Sequence, residues 1–93
     1  MKLFDWSDEK NVWLQAERNV TFEEVVFWIM RGGLLDIMEH PNKERYPKQR
    51  LFIVNMDDYA YIVPFVEDAD RVFLKTIIPS RKMTRKYLRT ESQ

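Results

Sequence analysis

The chain has 93 residues, and its fifteen lysines and arginines balance its fifteen aspartates and glutamates. Apolar residues make up 45% and aromatic residues 14%, which is enough to build one hydrophobic core but too little chain for two, so we expect a single domain over residues 1–93. The sequence has no cysteine and one histidine, His40, which excludes disulfides, thiolate or histidine-cluster metal sites and a cysteine nucleophile. We expect no cofactor, and no metal site built on cysteine or histidine.

The distribution of apolar residues also bears on location. No uninterrupted apolar run approaches the ~20 residues needed to cross a bilayer. The N-terminus reaches an acid at Asp5 and has no apolar signal-peptide region. We expect a cytoplasmic protein that does not associate with membranes.

The N-terminal part predicts one strand and two helices. Residues 2–6, KLFDW, are short and apolar, as in a first strand. A helix is predicted to follow, with Ser7 as its N-cap and Asn19 as the residue that ends it in a left-handed conformation. TFEE at 21–24 has the pattern of a capping box for a second, amphipathic helix over 22–31. The glycine pair at 32–33 ends that helix.

After the glycine pair, the spacing of apolar residues becomes that of strands. We place these strands at residues 34–40, 50–56, 59–67 and 72–79. The aspartate pair at 57–58 predicts a tight turn, and Pro64 predicts an edge strand or a bulge. Ser80 is expected to cap a last helix from Arg81 to Thr90. This order predicts an α+β fold: a curved antiparallel sheet with two N-terminal helices and a short C-terminal helix, the helices on one face.

Two short basic segments interrupt an otherwise acidic chain. Residues 40–50 hold four cations and one anion, and residues 81–93 hold five cations and one anion. In the last helix, four cations fall within an arc of about 100° and the apolar docking residues lie opposite. The cations are Lys82, Arg85, Lys86 and Arg89, and the docking residues are Met83, Tyr87 and Leu88. Such a face suits RNA or an acidic partner, although cations near a helix C-terminus also complement its dipole and aid solubility.

The first basic segment is a loop of about ten residues. Arg45 and Tyr46 combine a guanidinium with an aromatic ring, a pair that can clamp a phosphate and stack a base. His40 is a candidate general base for a 2′-hydroxyl, or an exposed histidine with no catalytic part.

The last strand contains one cation, Lys75. Strict alternation places it on the same face as Phe73 and Ile77. If that face is concave and shared with Arg45 and Arg81, Lys75 would contact a phosphate. Glu67, which ends the preceding strand, is then a candidate ion-pair partner or acid–base group.

Four stretches, FDWSDEKN, NVTFEEV, ERY and KTIIPSRKMTRKY, resemble, in order and spacing, the motifs of the BrnT family of bacterial toxins. The resemblance implies a fold like the RelE toxins and a metal-independent ribonuclease of a type II toxin–antitoxin module. It also implies neutralisation by a cognate antitoxin, a small DNA-binding protein through which the complex would reach operator DNA. The RNA target would be free or ribosome-associated.

Carried over by position, the resemblance implies a catalytic set of Arg45, Glu67, Lys75 and Arg81. The RNA-binding set that we expect is Tyr46, Lys82, Arg85, Lys86 and Arg89. The alternative is a non-catalytic module of the same fold that binds nucleic acid or protein without cutting it.

Overall fold

A computed structural model describes residues 2–89 of the chain. Within them, three helices and six strands follow in the predicted order, with the last predicted strand divided in two. The elements are β1 (Leu3–Asp5), α1 (Asp8–Arg18), α2 (Phe22–Met30), β2 (Leu34–Glu39), β3 (Arg50–Met56), β4 (Tyr59–Glu67), β5 (Arg71–Leu74), β6 (Ile78–Pro79) and α3 (Arg81–Leu88). The predicted end of the last helix, Thr90, lies outside the described residues.

The strands form one sheet in the order β1-β5-β4-β3-β2, with β6 also paired to β4. Every pairing is antiparallel except that of β1 with β5, which is parallel. The α+β class with a mostly antiparallel sheet is confirmed.

The prediction that all helices lie on one face of the sheet is wrong. On one face, Phe52 and Val54 of β3 belong to the main core with residues of α1 and α2, and on the other Leu51 and Ile53 pack against α3. The reason lies in β3, which is apolar at successive positions and therefore has two faces to cover. The C-terminal helix supplies the second cover.

The predicted helix caps are confirmed. The Ser7 side chain accepts a hydrogen bond from the Lys10 amide, and Asn19 ends α1 in the left-handed conformation at φ 57°. Thr21 and Glu24 form a complete capping box at the start of α2. Short polar side chains at these positions satisfy backbone groups that a helix end leaves unpaired.

Tight turns join β3 to β4 and α2 to β2. Asp57 and Asp58 both have positive φ, 57° and 68°, as a two-residue hairpin turn matched to the strand twist requires. At the end of α2, a Cβ on Gly33 would lie 2.7 Å from the Asn55 carbonyl oxygen, so only glycine fits there.

The interruption of the last strand accounts for the position of Pro64 and corrects the predicted face of Ile77. Pro64 lies in the central strand β4, not at an edge, but its carbonyl accepts from the Lys75 amide (2.8 Å) where the neighbouring chain leaves the ladder. In a strand, the N–H and C=O groups of one residue point toward the same neighbouring strand. The N–H that proline lacks would therefore point at the interruption, where no ladder hydrogen bond is lost. The interruption also breaks the alternation, so Ile77 is fully buried in the main core beside Leu74 and not on the face of Lys75.

Candidate functional site

Helix α3 is held firmly to the sheet by its apolar side. Met83, Tyr87 and Leu88 pack on the second core cluster, as predicted. The buried hydroxyl of Thr84 accepts from the Ala60 amide (2.8 Å) and donates to the Ser80 carbonyl (2.8 Å). The Tyr87 hydroxyl donates to Asp36, which lowers the pKa of that carboxyl and raises the pKa of the tyrosine. The helix therefore presents its opposite side in a fixed orientation.

That opposite side is cationic, as the sequence predicted. All five basic side chains from Arg81 to Arg89 are exposed: the four predicted on this side, Lys82, Arg85, Lys86 and Arg89, and also Arg81. Arg89 contacts Asp58 at 3.4 Å, while the other four make no ion pair within residues 2–89. Arg81 and Lys82 also stand in the first helical turn, where the dipole disfavours cations, and no acid accompanies them there.

The loop between β2 and β3 is ordered around a ring pair. The rings of His40 and Tyr46 lie 4.5 Å apart at 34°. His40 Nδ1 accepts from the Asn42 amide (3.0 Å), so the neutral ring carries its proton on Nε2. The guanidinium of Arg45 lies 5.6 Å from the centre of the Tyr46 ring, and its side chain is exposed. Arg45, Tyr46 and His40 are thus brought together.

Glu67 has partners that the sequence did not suggest. Its two carboxylate oxygens accept from Lys2 and from Arg50, and neither partner is Lys75. The hydrogen bond from Lys2 is the main cause of a lowered pKa at Glu67, and the bond from Arg50 adds to it. Glu67 therefore remains a carboxylate at neutral pH and joins β4 to β3 and to the chain before β1.

Glu67 and Lys75 lie on opposite faces of the sheet. Glu67 is two residues from Phe65, which faces the α1/α2 core, so it shares that face. Lys75 follows buried Leu74, and its ammonium lies 5.5 Å from the Phe73 ring on the α3 side. The alternation of the strands therefore directs the two side chains to different faces, and within residues 2–89 no hydrogen bond or ion pair joins them.

The expected catalytic cations are also spread along the sheet. The Lys75 amide donates to the Pro64 carbonyl, near the end of β4 that lies beside the β2–β3 loop. The Ser80 amide donates to the Ala60 carbonyl, near the other end of β4. Four residues of strand separate these points, or roughly 13 Å. Lys75 thus lies toward the end of the sheet from which the Arg45 loop extends, and Arg81 lies toward the other end. Within residues 2–89, no hydrogen bond or ion pair joins any two of Arg45, Glu67, Lys75 and Arg81.

Two further residues lie beside the group formed by His40, Arg45 and Tyr46, and the sequence did not identify them as site residues. They are Lys48 and Arg50. Both line a cleft of about 380 Å³ beside His40. The signal for Arg50 is the strand register, which places it opposite Glu39 on β2 and Phe65 on β4. That register depends on the offset between β2 and β3 along their length, and the long loop between the two strands does not determine this offset.

Residues 2–89 contain neither a candidate metal-binding cluster nor a helix suited to cross a membrane. No group of three histidine or acidic side chains there is arranged to hold a metal ion. No helix in the same part of the chain is both long and apolar enough to cross a membrane.

In comparisons with known proteins, no family model, no curated protein and no solved structure matches this chain.

Proposed function

We propose that the protein is a cytoplasmic ribonuclease toxin of a type II toxin–antitoxin module. It cuts RNA without a metal or cofactor, and a cognate antitoxin neutralises it. The observation that carries the proposal is the exposed face of α3, where Arg81, Lys82, Arg85 and Lys86 have no ion pair within residues 2–89. This face is held in place by the packed side of the helix, and it complements a phosphate backbone.

The charges of the first turn strengthen this proposal. A cation beside a helix N-terminus costs about 0.3–1 kcal/mol at an exposed site. Arg81 and Lys82 both occupy that turn, and a bound phosphate would remove the repulsion. Solubility alone gives no reason to place cations at the positive end of the helix.

The chemistry needs few groups because RNA carries its own nucleophile, the 2′-hydroxyl. A protein must hold the scissile phosphate in line, stabilise its developing charge and move two protons. The candidates for charge stabilisation are Arg45 and Lys75 toward one end of the sheet and, as an alternative, Arg81 toward the other. His40 and Glu44 are the candidate proton carriers in the loop, while Glu67 is engaged with Lys2 and Arg50.

The direct test is induced expression in a bacterial host with and without the cognate antitoxin. We expect wild type alone to stop growth and degrade bulk RNA, and co-expressed antitoxin to restore growth. Arg81→Ala should lower RNA cleavage by on the order of 10²–10³-fold, as loss of one electrostatic contact does. Arg31→Ala, an exposed cation at the end of α2, is the matched control and should behave as wild type. The proposal fails if wild type leaves growth and RNA unchanged.

A second measurement isolates the α3 face. For single-stranded RNA, the slope of log K against log salt is about −0.7 per phosphate contact, so four engaged cations give about −2.8. The double variant Lys82→Gln/Arg85→Gln should reduce it to about −1.4. An unchanged slope would show that RNA binds elsewhere.

A non-catalytic RNA-binding module is the second candidate, and one observation favours it. Glu67 and Lys75 lie on opposite faces, so an acid and a strand cation do not converge on one phosphate. Purified protein that retards RNA in a salt-dependent way and leaves it intact would support this candidate over the nuclease.

A further inference from the structure

The cleft of about 380 Å³ opens where β2 and β3 end and their connecting loop begins. Its lining combines an imidazole, a carboxylate and three cations: His40, Glu39, Lys43, Lys48 and Arg50. Its size falls within the range of small-ligand pockets, about 300–1,000 Å³. Rings stack bases and cations hold phosphates, so this combination suits a nucleotide.

The ring in this cleft is fixed in advance of binding. Tyr46 lies against His40 at 4.5 Å, and the Asn42 amide holds Nδ1 at 3.0 Å. The Asn42 carbonyl in turn accepts from the Tyr46 amide at 3.0 Å, which closes the turn beneath both rings. A pre-ordered ring loses little conformational freedom when a base stacks on it.

Glu39 supplies an acceptor with two oxygens. Its ion pair with Lys43 is exposed on both sides, and such pairs add little stability, so a ligand can displace the lysine. Lys43 also lowers the pKa of Glu39, which keeps the group an acceptor. Among the RNA bases, guanine alone has two adjacent donors on its Watson–Crick edge, N1–H and the 2-amino group, and these match a carboxylate.

Arg50 and Lys48 supply the phosphate contacts. Glu67 holds one nitrogen of Arg50, and the guanidinium lies 5.2 Å from the Phe65 ring. The remaining N–H groups of Arg50 are left for a ligand. Lys48 is exposed and has no ion pair within residues 2–89. Glu67 thereby becomes a positioning residue for Arg50.

We propose that this loop cleft binds one unstacked guanosine nucleotide, with the base on His40 and Glu39 and the phosphate at Lys48 and Arg50. The proposal rests on the proposed function in one respect, that RNA supplies the nucleotide. It gives the protein a base preference that the phosphate contacts of α3 do not carry.

The test is titration of the intact protein with guanosine 3′-monophosphate and uridine 3′-monophosphate, followed by calorimetry and by the NMR signals of His40 and Tyr46. We expect the guanosine nucleotide to bind tighter by on the order of ten-fold. Glu39→Gln should bring the two affinities together, because an amide has only one acceptor oxygen. Glu17→Gln, an exposed carboxylate on α1, should keep the preference. Tyr46→Leu should weaken both nucleotides.

Two results would overturn the inference. One is inorganic phosphate binding as tightly as guanosine 3′-monophosphate, and the other is an absence of shifts at His40 and Tyr46. RNA cleavage is scored separately on oligonucleotides with and without guanosine. Cutting with no base preference and no nucleotide binding refutes the cleft alone, whereas nucleotide binding without cutting refutes the nuclease alone.

Discussion

Replacing Thr84 with valine should destabilise the protein by removing one hydroxyl. Thr84 is 5% exposed, and its hydroxyl is the acceptor for the Ala60 amide, which belongs to a fully buried residue. Valine has nearly the same shape but leaves that N–H unpaired, at a cost of about 1–3 kcal/mol. Burial of the added methyl group stabilises the fold by about 0.8 kcal/mol. The net loss in the free energy of unfolding is therefore expected to lie at about 0.2–2.2 kcal/mol, centred near 1 kcal/mol.

Urea denaturation measures this loss. With a slope of about 1.5 kcal/mol/M, a loss near 1 kcal/mol should lower the unfolding midpoint by roughly 0.7 M. The matched control is Thr76→Val, since Thr76 is partly buried and its hydroxyl makes no hydrogen bond within residues 2–89. That variant should stay within about 0.5 kcal/mol of wild type. Equal midpoints for the two variants would refute the reasoning, and with it the claim that a buried hydrogen bond fixes the cationic helix to the sheet.

Three further predictions concern other contacts. The hydrogen bonds to Glu67 lower its pKa below the unfolded value of about 4.5, and this stabilises the fold above that pH. The stabilisation disappears as the pH falls through the lower folded pKa. In Glu67→Gln, the free energy of unfolding should therefore depend less on pH below pH 4.5, as acid unfolding would measure. Tyr87→Phe should raise the pKa of Asp36 toward its ordinary value, because the hydroxyl is the largest cause of the lowering, and an NMR titration of the carboxyl would detect no change if the contact were absent. Gly33→Ala should cost about 1–3 kcal/mol in thermal or urea unfolding because its Cβ would lie 2.7 Å from the Asn55 carbonyl oxygen, and a variant as stable as wild type would contradict that close approach.

Local signals made much of the fold predictable. Ser7, Thr21 and Ser80 cap helices because a short side chain with an oxygen satisfies amides within three residues. The Asp57–Asp58 turn and the bounds of β3 and β4 follow from equally local chemistry. The segregation of cations on α3 needed only the period of a helix.

The candidate site was less predictable because its members are distant in sequence. Glu67 was expected near Lys75, yet it bonds to Lys2, 65 positions away, and to Arg50 on the neighbouring strand β3. The break after Leu74 reversed the face of Ile77, and Arg18 of α1 holds that segment by donating to the Ile77 carbonyl at 2.6 Å. No local sequence pattern predicts such a long-range hydrogen bond.

The sequence by itself therefore determined the elements, their caps and the cationic side of the last helix, because each depends on residues within one or two turns. Only the tertiary structure decided which face of the sheet that helix covers and which side chains share the loop cleft. Those outcomes depend on strand register and on an interrupted ladder, where a shift of one residue moves every side chain to the other face.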